Sequence, residues 1–451
     1  MCLSACAKAS AFAEATADHR SLARLRARRF GETSTKLEER SRARSWSADR
    51  RISTPRHTVR AVGPPGFSGG CRGFVSSWLH FAVVRSWLHF CMMPLAADPV
   101  DPVNPVNIVA LTRALVDIDS TTGQEAEVGR WLAAYLRRLG FSVTQQPVDG
   151  GRFNIIAAPG EHGSGRSAPA VVLSTHLDCV PPFFPSRVDG DRLFGRGACD
   201  AKGILAAQIA AAHRLRREGE SRVGLLFVVG EERGSDGARS ANELENSCRY
   251  LVDGEPTDNR LGLATRGILR VKVRAAGRAA HSSFPELGES AIDKLIDALV
   301  DLRTIELPAD ETLGQTHYTI GLITGGVAPN VISPTAEAEV MFRTVSDSRA
   351  IRKAIARLEG RVAIDHVLEV PPVRMVTLPG YDVAVFPYTT DIPFLTAWGE
   401  PLLFGPGSIH LAHTADEHVS ITELHAAADQ YVAMVRELLR RTLNSEVSTL
   451  N

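Results

Sequence analysis

Two apolar, β-branched runs, residues 168–175 and 223–229, each stop on groups that bind protons and metals. The first ends in Ser-Thr-His176-Leu-Asp178 and the second in Gly230-Glu231-Glu232. Runs of that length and composition read as buried strands. Residues 203–216 between them follow an Ala-rich amphipathic helical pattern. Strand, helix, strand in this order predicts an α/β fold with a central, mainly parallel sheet and helices on its faces. In such sheets binding sites form outside the carboxyl ends of the strands, which is where both clusters would lie.

Three more segments carry the same kind of residue: Gly-Arg-Gly-Ala-Cys-Asp200-Ala-Lys-Gly, Gly254-Glu255-Pro-Thr and Ala-His413-Thr. His176, Asp200, Glu232, Glu255 and His413 together supply two imidazoles and three carboxylates. That donor set suits two Zn2+ ions bridged by one carboxylate. A metal pair polarises a carbonyl and activates water, so the chemistry expected is amide hydrolysis. Affinity order alone leaves Co2+ or Mn2+ open. Cys179 and Cys199 adjoin these donors without CxxC spacing, and Gly195 to Gly197 is no phosphate loop because no Gly-Lys-Ser/Thr follows.

The rest of the chain frames these segments. Helices are expected over 108–118 and 125–139, with Gly140 as the stop, then strands over 141–146 and 154–158. After Glu255 the pattern changes to strand 268–275, helix 290–302, strands 318–324 and 336–344 and helix 349–358, a β-α-β-β-α-β arrangement. This predicts a catalytic domain in two parts, 94–264 and 367–451, interrupted by an inserted α+β unit over 265–366. A long amphipathic helix over 423–443 closes it.

The formal charge of the 451 residues is zero, but the first 93 hold 16 Lys and Arg against 6 Asp and Glu. The body is therefore acidic, which argues against a nucleic-acid partner. Residues 1–93 read as an unstructured leader, with translation from Met92 or Met93 delivering the whole body. The apolar stretch 74–93 is broken by His80, Arg85 and His89, so no membrane span is expected. Seven cysteines, an odd and sparse set, favour a reducing cytoplasm over a disulfide framework.

From Leu111 to Leu443 the ordered set of segments resembles the metallohydrolase family of acetylornithine deacetylase, succinyl-diaminopimelate desuccinylase and carboxypeptidase G. The resemblance implies a zinc-hydrolase catalytic domain and a ferredoxin-like insertion serving as dimerisation domain and lid. Asp200 would bridge the metals, His176 and Glu255 would bind separate ones, and Glu232 and His413 would complete the two sites. Asp178 would orient the His176 ring; a lone His-x-Asp would otherwise be an exposed strand-end carboxylate. Glu231 would be the general base and acid, where the plain reading of a Glu-Glu pair is two solvated charges.

The resemblance further implies that His281, in Ala-Ala-His-Ser-Ser, reaches into the partner's site of a homodimer and stabilises the oxyanion. The alternative is a surface histidine. Asn330 and Arg343 match positions that grip a substrate carboxylate, and Gly405 matches a loop whose backbone approaches substrate. Ala201, where many relatives carry Met, and the absence of Trp from 181–187 depart from the pattern around the acyl pocket.

The activity expected is removal of the acyl group from an N-acyl amino acid, of the acetylornithine deacetylase type. The alternatives are a zinc carboxypeptidase or dipeptidase acting on a short peptide, and a non-catalytic metal-binding dimer.

Overall fold

The computed structural model describes residues 106–160 and 169–449. The expected leader, 1–93, and the proline-rich stretch after it lie outside the described residues. Within them, two sheets organise the chain.

The main sheet has six strands. Val171–His176 runs parallel to Val223–Val228 on one side and to Tyr250–Asp253 on the other, and Glu400–Leu403 adds a fourth parallel strand beyond. Phe141–Pro147 and Phe153–Pro159 extend the opposite edge as an antiparallel hairpin. Every residue of Val171–His176 and Val223–Val228 is buried, as expected of strands covered by helices on both faces. The mainly parallel α/β sheet expected from the sequence is present. Its edge strand Glu400–Leu403, only four residues long, gave no alternating signal to read.

Helix Lys202–Arg217 lies against this sheet and is almost wholly enclosed. Its small residues Ala206, Ala207, Ala210 and Ala211, each 0–1% exposed, let it pack closely between Ile108–Val116 and the closing helix Ile421–Thr449. The first helix starts at Ile108 because the Asn107 side chain accepts the Ala110 N–H at 2.9 Å.

The second sheet has four antiparallel strands in the order His317–Gly325, Thr335–Thr344, Gly267–Ala276, Ala363–Val370. Helices Ala291–Leu302 and Arg349–Ile355 cover one face, giving a β-α-β-β-α-β unit with a core of its own around Leu269, Val271, Leu295, Val340 and Phe342. Truncating a fully buried Phe342 to alanine would cost roughly 3–5 kcal/mol. The expected end of this unit at 366 falls inside Ala363–Val370, whose register continues to Val370 opposite Ile268. Half of its residues are exposed and only Val370 is buried, so periodicity did not mark it.

No helix among the described residues is long and apolar enough to cross a membrane. Cys179, Cys199 and Cys248 are buried free thiols.

Candidate active site

The first strand of the parallel core delivers His176 at its carboxyl end, and the next delivers the turn that carries Glu231 and Glu232. Gly230 makes that turn in the left-handed region, φ 78°, where a side chain would be strained. On the other side, Gly254 is tied to the strand of His176 by its N–H to the Ser174 carbonyl at 2.7 Å, which brings Glu255 alongside.

The imidazole of His176 faces Asp200 through Nε2, 2.8 Å from Oδ1. Its Nδ1 meets the Asp178 carbonyl at 2.9 Å and the Asp178 carboxylate at 3.6 Å. Asp178 accepts hydrogen bonds from Thr122 Oγ1 at 2.9 Å and from the N–H groups of Glu231 and Glu232 at 3.1 and 3.2 Å. One buried carboxylate thus fixes the ring of His176 and the turn that carries both glutamates. The expectation of Thr122 as its third donor could not arise from the sequence, since the two residues meet only through folding.

The other oxygen of Asp200, Oδ2, lies 3.4 Å from His413 Nε2, and Glu232 Oε1 lies 2.9 Å from the same nitrogen. Donor atoms of His176, Asp200 and Glu232 all fall within 4.8 Å of one another, a candidate metal site. His413 adopts φ 65°, a left-handed conformation costing a non-glycine residue roughly 1–3 kcal/mol, of the kind that persists where function holds it. His410 is exposed and His418 bonds the Asp416 carbonyl at 2.6 Å, so neither neighbour competes with His413.

Burial would raise the Asp200 carboxyl, but hydrogen bonds from His176 and His413 outweigh it and hold the group below the usual range. His413 is pushed up to about 10 by Asp200 and then Glu232. Glu231 is driven well above its usual value by burial and then by the negative Asp391. Glu255 is raised in the same direction by burial and by the charges of Asp200 and Glu231. Crowded, desolvated carboxylates facing two imidazoles form the environment a divalent cation relieves, and each donor here is a hard or borderline oxygen or nitrogen. The donor set fits a metal pair.

The remaining candidates lie elsewhere. His281 and Asn330 are exposed on adjoining loops of the inserted unit, where Ser282 N–H bonds the Asn330 carbonyl at 3.0 Å and His281 pairs with Val331 as a β-bridge. Arg343 is half-buried on Thr335–Thr344, opposite His317. Its guanidinium has no ion-pair partner among the described residues, and burial lowers its pKa. None of the three touches a metal-ligand candidate.

Gly405 is the last of these candidates. It is buried, its N–H bonds Thr257 Oγ1 at 2.9 Å, and its carbonyl accepts from Thr257 and Asn259. A Cβ there would lie 2.6 Å from the Glu255 carbonyl oxygen. Glycine is needed so that this loop can pack on the backbone of Glu255, and its polar groups are already occupied within the chain. Sequence reading also missed Glu417, fully buried beneath Asp200, because a glutamate in an exposed-looking His-Thr-Ala-Asp-Glu stretch carries no burial signal.

Known proteins resemble this chain. Residues 172–437 match the model of peptidase family M20/M25/M40. A peptidase M20 domain-containing protein of Schizosaccharomyces pombe is 38% identical over 74% of this chain and 85% of its own length. A probable carboxypeptidase of Aspergillus clavatus is 36% identical over 74% of this chain and 83% of its own. The crystal structure of a dinuclear metal binding peptidase of the M20 family from Bacillus subtilis superposes with TM-score 0.56 at 18% identity, covering 73% of this chain and 96% of that one, and so shares the fold. On the extent of these matches the chain belongs to peptidase family M20/M25/M40 and is a hydrolase of amide bonds.

Proposed function

We propose that the protein is a metallocarboxypeptidase-type amidohydrolase that cleaves the amide next to a free carboxylate, in a short peptide or an N-acyl amino acid. The observation that carries this reading is the cluster of His176, Asp200, Glu232 and His413 with Glu231 beside it. The half-buried, unpaired Arg343 adds a carboxylate grip. It lines a cavity of about 370 Å3 with Arg270, His317, Thr319 and Met341, where Glu339 lies 3.9 Å from Arg270 and leaves Arg343, among the described residues, as the unpaired cation. The probable carboxypeptidase of Aspergillus clavatus supports the same bond type.

Glu232 and His413 meet on the Oδ2 side of Asp200 and His176 on its Oδ1 side. This would suit one metal held by Glu232 and His413 and a second held by His176 and Glu255, with Asp200 reaching both, as an alternative to the separation of His176 from Glu255 that the resemblance implies. Bound metal ions, zinc on this donor set, would supply Lewis acidity and an acidified water. Glu231, whose carboxyl burial holds above its usual value, takes the proton of the attacking water at its carboxylate and passes it to the leaving amine. Asp178 keeps the His176 ring in place. His281 donates to the developing oxyanion, and Asn330 and Arg343 hold the substrate carboxylate.

Because His281 and Asn330 sit in the inserted unit away from the cluster, we also propose a homodimer. Ile292, Ile296 and Val300, four residues apart on helix Ala291–Leu302, are 36%, 52% and 52% exposed, and Leu322 and Ile323 on the edge strand are each 61% exposed. An apolar helix stripe beside an open strand edge is a surface that association covers. The three buried free thiols support a reducing compartment, the cytoplasm.

Acetylornithine deacetylase activity is the second reading, since the same groups would cleave an N-acetyl amide. A non-catalytic role is opposed by the complete donor set with Glu231 in place. The deciding experiment is zinc-dependent amine release from dipeptides and N-acyl amino acids, each with its carboxylate free or amidated. Chelator-sensitive turnover that falls at least ~100-fold on amidation fits a charge-assisted carboxylate grip. Equal turnover of the amidated substrates would refute the carboxypeptidase-type assignment.

A further inference from the structure

The segment that delivers Asp200 is a turn with no strand or helix, Gly195 and Gly197 within it both take positive φ, and its own backbone bonds leave the N–H groups of Gly197, Cys199 and Asp200 to other partners. Another residue accepts them. Glu417 is 0% exposed and its Oε1 accepts the N–H groups of Gly197, Cys199 and Asp200 at 2.9, 3.2 and 3.1 Å. Its Oε2 is 2.5 Å from Arg196 Nη1, and Arg196 is itself 3% exposed and anchored to the Pro182 carbonyl at 3.2 Å. The Glu417 backbone carbonyl accepts the Gly195 N–H at 3.1 Å, and the strand that follows it, His418–Ser420, pairs antiparallel with Arg192–Phe194.

One residue therefore engages the loop 195–200 at five points. It also lies four positions after His413, so it ties together the two chain segments that carry Asp200 and His413. Asp200 has to present one oxygen to each imidazole, and a displacement of a few tenths of an ångström would break one of those contacts. A shorter side chain at 417 would leave buried N–H groups and the Arg196 guanidinium without an acceptor, and a neutral one of equal length would leave the guanidinium without its counter-charge.

We propose that Glu417 is a positioning residue of the metal centre, which sets the geometry of Asp200 through three backbone hydrogen bonds and couples that ligand to His413. It touches neither metal nor substrate. The inference rests on the proposed metal-binding role of Asp200. Partners behind metal ligands alter metal affinity by about 10–100-fold, and that is the effect expected here.

The test is zinc affinity of the metal-free full chain, measured by competition with a chromophoric chelator at a temperature well below unfolding. The set is the parent, Glu417→Gln, Glu417→Ala, Asp200→Ala and Leu295→Ala, the last a destabilising change in the separate core of the inserted unit. Glu417→Ala is expected to bind zinc about 10–100-fold more weakly, and Glu417→Gln, which keeps an acceptor oxygen but misfits Arg196, about 10-fold more weakly. Leu295→Ala should lower the melting temperature and leave zinc affinity unchanged. If Glu417→Ala shows no cooperative unfolding, Glu417→Gln decides. Parent-like affinity in a folded Glu417 variant, or an equal loss in Leu295→Ala, overturns the proposal. Zinc binding unchanged in Asp200→Ala would instead bring down the metal-site reading itself, and this inference with it.

Discussion

The groups proposed for catalysis occupy two contrasting settings. Around Asp200 most are enclosed: His176, Asp178 and Glu417 are at most 1% exposed and each makes at least two hydrogen bonds, while His413 stands half exposed at the rim. In the inserted unit His281 and Asn330 stand in water, and the charged sheet face is held by exposed pairs such as Arg274 with Asp365 at 2.7 Å. An exposed pair of that kind contributes ~0–1 kcal/mol, whereas removing one partner of a buried pair such as Arg196 with Glu417 costs ~3–5 kcal/mol. One region encloses the proposed metal ligands. The other, on the proposed reading, presents groups that act on a partner's site.

The largest effect should come from the enclosed region. Glu231→Ala is expected to lower kcat by about 10^2–10^4-fold while zinc content stays at the parent value, as measured by steady-state kinetics and metal analysis. Activity at the parent level would remove Glu231 from the mechanism and with it the catalytic meaning of the enclosure.

Next is a test that joins the two regions. His281→Ala should cost about 10^2–10^3-fold in kcat, the loss of one oxyanion donor. If His281 serves a partner's site, mixing inactive His281→Ala with inactive Glu231→Ala under exchange conditions restores part of the activity, because one site of the mixed dimer is intact. Failure to complement while subunits demonstrably exchange would place His281 in its own chain's site. Ile296→Asp, at the centre of the exposed stripe, should shift the protein to monomer in size-exclusion chromatography and abolish complementation.

A smaller effect belongs to Arg343. Arg343→Ala should raise KM for carboxylate-bearing substrates about 10–100-fold with a lesser change in kcat, and Arg343→Lys should recover only part, since a lysine lacks the planar fork. A pure kcat effect would move Arg343 out of substrate binding.

The smallest test concerns pH. Asp391, buried near Glu231, has its carboxyl pushed up to about 7 by burial, from a usual 3.8. Its folded pKa lies above the unfolded one, so the unfolded state holds fewer protons between those values and stability falls as pH rises from about 4 to about 7. Asp391→Asn should therefore raise the melting temperature of the metal-free protein more at pH 8 than at pH 5, by on the order of 1–3 °C. An equal shift at both pH values would show that Asp391 is not protonated in the fold.

Legibility followed the same division. His176, Asp200, Glu232 and His413 were readable because strand ends and short acidic segments announce themselves in one dimension, and the structure brings them within 4.8 Å or hydrogen-bond range. The packing of Gly405 on the backbone of Glu255 was not legible, because a glycine that admits substrate and one that admits backbone look alike in sequence. Ala363–Val370 went unmarked because half of its residues are exposed and only Val370 is buried.

By itself the sequence determined the donor chemistry and the parallel core, since residue type fixes which atoms can ligate and buried strands advertise their burial. Only the tertiary structure decided which imidazole meets which oxygen of Asp200, and that Thr122 and Glu417 stand behind Asp178 and Asp200. Those contacts join residues 56 and 217 positions apart, and a hydrogen bond depends on where chain segments meet, which no local pattern encodes.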